Sequence, residues 1–481
     1  MAFRVSADLI LEGVSVLKKS SPLSTLLGGA AALFLLSGCA HYHVEVGNND
    51  QVDNPIPAYT GVHTKQAQAA AQKSVLDLWD VYSLAVERTE TLASQVENVE
   101  QAEAQQQQAF GAWLPQIFLN GQKNWVSGTS VNSNASNNFS QNTDAGGSLY
   151  VSGSETIFSG LNQVAALQGA KANIDAQGFG LRNASSRLLL NVAQAFYSVL
   201  ELQDALKTDL DSRDLTQKIL DVQKNWVTIG RAQKSDMLTT TAQLAQLDAT
   251  IQNDRTQLTQ AREMLAFLAG IKPDAALQST DENYAAPPFS LEDAEAKVGS
   301  RPDVRQAKAN VDVAEAEVLQ AHGLHLPTLS ATGDYYLAAD GGNNPPEWTV
   351  GLEASIPLFE GGQIVAQERE ADSKRNQAEL QWSQSQRSAL EEIRQVYKGL
   401  SDSIAQTAAY QAAMDASQAA YDAVLHDYKL NLQTPLTLLQ TLNALETTKD
   451  DYVKTRYQTL YDQIWLGVAT GDLPQTEEKK N

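Results

Sequence analysis

Two histidines one helical turn apart, His322 and His325, carry the spacing most suggestive of metal chemistry in this 481-residue chain. No cysteine and no carboxylate at convincing spacing completes a ligand set around them. The pair lies just ahead of Leu326-Pro327, where a helix must end and a protonated imidazole is favoured by the helix dipole. His41 and His43 fall in a linker, and His426 stands alone. The single cysteine, Cys39, excludes an intrachain disulfide and lacks companions that would make it a catalytic thiol. A nucleophile elbow, a phosphate loop and a dinucleotide fingerprint are all missing. The sequence therefore predicts no metal, no cofactor and no enzyme.

Cys39 has a different chemistry open to it. Lys18-Lys19 precede an apolar run from about Leu23 to Leu36, too short to span a bilayer comfortably and suited to a signal-peptide core. The run ends in Leu36-Ser37-Gly38-Cys39, which resembles the bacterial lipobox, whose cysteine is acylated, palmitate included, and becomes the mature N-terminus. The basic region before it is long, so Met1 need not be the natural start. Residues 1–38 are expected to be a signal peptide and 39–64 a lipidated linker rich in Gly, Asn and Pro. An incidental cysteine in an ordinary secreted protein is the alternative. Formal net charge is -22, with no basic stripe, which argues against nucleic acid as a partner.

The elements behind these residues are unusually long. From Gln363 to Lys398 the chain has no Pro or Gly, and helical character continues to about Leu430. At 1.5 Å per residue, roughly 70 residues of helix reach about 105 Å. Helix is also expected over 65–112, broken only near Gly111, and over 162–227, 232–269 and 291–323, with Ser290 and Asp293 as a capping box. Ile393, Val396, Tyr397, Leu400 and Ile404 form a coiled-coil-like seam.

The pattern occurs twice. Ile157-Phe158-Ser159-Gly160-Leu161 matches Leu358-Phe359-Glu360-Gly361-Gly362, and Leu114-Pro115 matches Leu326-Pro327. Val227-Thr228-Ile229-Gly230 matches Tyr428-Lys429-Leu430-Asn431 at the same offset of about 200 residues. The expected organisation is a first repeat over 65–285, a second over 286–470 and a polar tail over 471–481. Each copy holds two alternating stretches of about nine to eleven residues, apolar on one face and polar on the other. Ile117 and Leu119 open the first copy; Trp348, Val350 and Leu352 close the second. Trp125 and Trp348 sit at the loop-side ends, where an aromatic belt would lie. Four such strands cannot close a barrel, and open edges cannot sit in lipid, so strands that enter a membrane require an oligomer.

These motifs resemble the TolC-type outer membrane efflux protein family over about residues 65–470. The duplicated Leu-Pro strand starts and Phe-x-Gly turns carry the resemblance, with Arg301-Pro302-Asp303-Val304 and Ala261-Arg262-Glu263-Met264-Leu265-Ala266. It implies an α+β membrane protein, internally duplicated, with a long α-helical periplasmic barrel. Four strands per chain would contribute to a twelve-stranded barrel shared by a homotrimer. It also implies a lipid-anchored place in the Gram-negative outer membrane and a passive exit duct for small molecules: drugs, toxic compounds or metal ions. An inner-membrane pump would drive export through a periplasmic adaptor. The family's adaptor-docking tips fall on Gly230, Arg231, Lys234 and Ser235, and on Asn431, Leu432, Gln433 and Thr434. Asn431 stands where the family usually has Gly. Acidic residues commonly narrow the family's entrance; Asp236 matches one such position, and Thr437 and Gln440 occupy the counterparts in the second repeat. The tips read as carrying little apolar surface. A helix-start carboxylate is the other reading of Asp236. The competing functions are the duct of a type I protein secretion system and a periplasmic coiled-coil lipoprotein without a pore.

Overall fold

The computed structural model describes residues 64–123, 125, 147–279, 287, 289–340, 346–430 and 432–471. Cys39, Asn431, the signal segment, most of the linker and all but Gly471 of the polar tail lie outside the described residues. The first repeat opens with α1 (Thr64–Ala70), a two-residue β1 (Val75–Leu76), α2 (Leu78–Arg88) and α3 (Glu90–Gly111). Strands β2 (Gln116–Lys123) and β3 (Gly147–Ser159) follow, then α4 (Asn162–Thr228), α5 (Lys234–Ala269) and β4 (Ala276–Leu277). The second repeat is α6 (Leu291–Ala296), a 3-10 turn, α7 (Pro302–Gly323), β5 (Thr328–Asp340), β6 (Trp348–Ser355), α8 (Gln363–Lys429) and α9 (Pro435–Ala469).

The duplication shows in the dimensions. Helices α4 and α8 each span 67 residues, about 100 Å at the standard rise. Their partners α5 and α9 span 36 and 35. Both strand-to-helix turns place two successive residues in the left-handed region: Gly160 (φ 61°) with Leu161 (φ 71°), and Gly361 (φ 63°) with Gly362 (φ 87°). Leu161 is a leucine where its counterpart is glycine, and it holds a conformation that costs an L-residue about 1 kcal/mol or more.

Two expected helices are shorter than their patterns. The stretch 65–112 breaks at β1, which pairs in parallel with β4, because Asp77 starts a new helix. Its carboxylate accepts from Asp80 N at 2.8 Å, and the Asp80 side chain returns to Asp77 N, a capping box. A second break comes at Thr89, extended at ψ 114°, whose hydroxyl donates to Ala85 O at 2.6 Å. The stretch 291–323 divides at Arg301-Pro302, since proline holds its predecessor out of the helical region; Arg301 has ψ 138°. Arg301 is then buried, with Nη1 donating to Ala469 O at 3.0 Å and Nη2 to Asp303 and Glu392 at 2.8 and 2.7 Å. The Ser290–Asp293 capping box forms as expected.

The four long strands make one antiparallel sheet in the order β2-β3-β5-β6. Their lengths are 8, 13, 13 and 8 residues, so the central pair is longer and the edge pair shorter than nine to eleven. Bulges shift the β3–β5 register at Leu149/Tyr150 and Thr156/Phe158, and the simple alternation of β3 ends at the second. Between them the register aligns Leu119, Val151, Tyr335 and Trp348 in one row. The neighbouring row, on the other face, is Phe118, Ser152, Asp334 and Thr349. There Asn120 donates to Ser152 Oγ at 2.7 Å, and Thr349 to Asp334 at 3.0 Å.

Packing along the helices is clustered. Tyr82, Leu181, Phe196, Leu265 and Leu460 join α2, α4, α5 and α9. Ile393, Val396 and Leu400 pack with Ala294 and Leu466, with Tyr397 and Ile404 partly buried beside them, which is the expected seam. Toward the hairpin tips, Ile219, Tyr421, Tyr428, Leu438 and Leu442 form a separate cluster.

Candidate functional site

Both hairpin tips are closed by the same backbone device. At the first, Gly230 N donates to Val227 O at 3.1 Å and Arg231 N to Trp226 O at 2.7 Å, a Schellman ending. Gly230 has φ 74°, the left-handed value this ending requires. At the second, Leu432 N donates to Asp427 O at 2.9 Å, the equivalent bond. Arg231, Lys234, Ser235, Leu432, Gln433 and Thr434 are all exposed. Ser235 Oγ reaches the Gln233 side chain at 3.3 Å. Thr434 caps α9, accepting from Thr437 N at 3.2 Å and meeting the Thr437 hydroxyl at 2.9 Å. Thr437 is therefore engaged in starting its helix, and Gln440 is exposed.

The tips are not poor in apolar surface. Ile229, Leu238, Leu430, Leu432 and Leu436 are each more than half exposed. Leu238 and Leu436 lie just outside the short turn motifs, and the polar residues of the turns masked the other three.

Asp236 lies in the first turn of α5, and its charge reaches Tyr428 near the end of α8. Burial raises the Tyr428 hydroxyl above its ordinary value; the Gln223 side chain beside it works the other way, and the Asp236 charge adds to the rise. This charge effect crosses from one hairpin to the other. A second crossing joins Gln243 Nε2 to Asn443 Oδ1 at 3.2 Å, from α5 to α9.

Several turns above the tips, four carboxylates from three helices meet: Asp209 of α4, Asp254 of α5, and Glu446 and Asp450 of α9. Burial, then the hydrogen bond and charge of Asp209, push Asp254 up to about 7. Burial, then the charges of Asp254 and Asp451, push Asp450 up to about 6. Asp209 and Glu446 are raised as well, burial first in each case. A hydrogen bond between two carboxyls needs a proton, so the cluster holds one near neutrality. The sequence signal is weak, because on each helix alone these residues read as a solvated face.

His322 and His325 face Glu368 of α8, at 3.2 Å from Nδ1 and 3.3 Å from Nε2, each toward a different carboxylate oxygen. Sequence spacing hid Glu368, more than forty residues downstream. Among the described residues no three His, Cys, Asp or Glu side chains are grouped to hold a metal.

On the sheet, Ile117, Leu119, Val350 and Leu352 are each more than 60% exposed in the single chain, as are Trp125 and Trp348 at the loop-side ends. Among the described residues no helix is long and apolar enough to cross a membrane, which says nothing of a β-barrel.

The chain is similar to known proteins at several levels. It is 25% identical over 312 residues to the outer membrane protein TolC of Escherichia coli (strain K12), covering 60% of this chain and 62% of that protein. It is 24% identical over 307 residues to the alkaline protease secretion protein AprF of Pseudomonas aeruginosa, covering 62% of this chain and 64% of that one. The chain thus spans less than two thirds of the length of these curated relatives. The crystal structure of the outer membrane protein VceC from Vibrio cholerae superposes with a TM-score of 0.73 at 17% identity, covering 82% of this chain and 96% of that one, which shows a shared fold. The sequence profile for outer membrane efflux proteins matches residues 81–271 and 296–472, most of both repeats, and the chain belongs to that family.

Proposed function

We propose that this protein is the outer membrane duct of a tripartite export system, assembled as a homotrimer. The observation that carries the reading is the four-stranded sheet, apolar on one face and more polar on the other, with β2 and β6 as its two edges. In lipid those edges demand partners. Pairing β2 of one copy with β6 of the next gives twelve strands from three chains, and α4, α5, α8 and α9 of each copy would then wall a periplasmic tunnel. Sedimentation in detergent tests this: a trimer is expected, and a stable monomer with intact strand content contradicts it.

The exposed tips, Gly230, Arg231, Lys234 and Ser235 with Asn431, Leu432, Gln433 and Thr434, are assigned to docking a periplasmic adaptor that links the duct to an inner-membrane transporter. The apolar side chains beside them strengthen the assignment, since an exposed apolar patch marks an interaction surface. Asp236, through its reach to Tyr428, is the entrance residue; Thr437 and Gln440 complete the second-repeat side without charge. Cys39 is assigned the lipid anchor, and an unmodified, uncleaved N-terminus found by mass spectrometry on the native protein contradicts that. Small molecules are the assigned cargo. Protein cargo is a second reading, favoured by the similarity to a protein whose name assigns it protease secretion.

A further inference from the structure

We propose that a pocket between α4 and α8, just above the tips, binds small aromatic organic anions and that occupancy holds the two hairpins together. The second half rests on the duct reading; the binding does not. The pocket has a volume of about 190 Å³ and is lined from α4 by Lys218, Ile219 and Trp226 and from α8 by Tyr421, Tyr428 and Lys429. The α4 residues recur at one helical face, and so do those of α8. Rings of Trp226 and Tyr428 stand 5.2 Å apart and tilted by 42°, a surface on which a further aromatic ring packs. The lining contains two lysines and no carboxylate, although the chain as a whole is strongly acidic. Lys218 is paired with Asp214 on its own helix; Lys429 ends α8 and is exposed. Tyr428 adds a third kind of group. Its hydroxyl lies against the side chain of Gln223, which is fully buried beside it. Aromatic walls and a cationic rim together suit a planar ring bearing one carboxylate.

The test titrates the full-length trimer in detergent with 2-naphthoate by calorimetry, with 2-naphthamide as the neutral control. The expected result is saturable binding of the anion, at least fivefold weaker binding of the amide, and at least a fivefold loss of naphthoate affinity in Lys429→Gln. Lys429→Gln alters an exposed charge and leaves the core intact. Trp226→Phe, keeping a ring of smaller area, is expected to weaken both probes. Equal affinity for acid and amide, an unchanged Lys429→Gln, or no binding because a neighbouring copy covers the groove would each overturn the proposal. Conductance measured with and without naphthoate then reads the locking separately: a lowered open fraction is expected, and binding with no change in conductance refutes the locking alone.

Discussion

At Gly230 a backbone requirement coincides with open space: φ is 74° and an added Cβ would meet nothing within 4 Å. Gly230→Ala therefore isolates left-handed strain, about 1 kcal/mol, and should be tolerated. Gly230→Pro also removes the N–H bonded to Val227 O and fixes φ near -65°. The expected outcome is loss of export and of adaptor cross-linking with trimer assembly intact. Normal export by Gly230→Pro would refute the tip assignment, and a failed trimer would make the turn a folding element. Asp254 supplies a second residue-level prediction. Folding raises its pKa from 3.8 to about 7, so the folded state favours its protonated form. Its contribution is full below 3.8 and is lost as pH rises through about 7. Asp254→Asn mimics the protonated group. Amide protection in α9 around Glu446 and Asp450, taken relative to the intrinsic exchange rate at each pH, should fall between pH 4 and 8 in the wild type and change much less in the variant. The same pH dependence in both would contradict the shared-proton account.

At the scale of elements, the long helices and their turns were legible because Pro, Gly and the duplication mark their ends without help from tertiary structure. The α4 and α8 limits, the Ser290 cap and the left-handed Gly230 all follow from local chemistry. The breaks at Val75-Leu76 and Thr89 were not, because each depends on a remote partner or on one modest capping residue, whereas Pro302 marks the break at Arg301 locally and only the burial of Arg301 was hidden. Arg301 gains Ala469 O and Glu392 only after the chain has folded back. The carboxylate cluster and the Glu368 contact escaped for the same reason, being assembled across helices. One close approach belongs here too. A Cβ on Gly323 would lie 1.9 Å from Gly160 O, and one on Gly160 2.1 Å from Gly323 O. This backbone contact sets the end of α7 against the β3–α4 turn. Gly323→Ala should therefore cost a few kcal/mol and reduce the yield of folded trimer, while Gly111→Ala, where nothing lies within 4 Å, should leave the yield unchanged. Equal trimer yields from the two variants, read by gel filtration, would contradict a role for this contact.

At the scale of the whole molecule, one chain is an incomplete object. Its sheet exposes large apolar side chains and two edges, and much of α8 is exposed along its first half. Both features call for neighbours, and the proposed three-fold ring would supply them to sheet and helices at once. A helical rod without a pore would leave the alternating sheet without a purpose. Single-channel recording of the purified trimer in planar bilayers separates the two most directly. A continuous tunnel predicts discrete, reproducible conductance steps with ohmic open-state current, and a larger open fraction in Asp236→Asn. Insertion of folded trimer without any conductance steps, in the wild type and in Asp236→Asn alike, would contradict the duct.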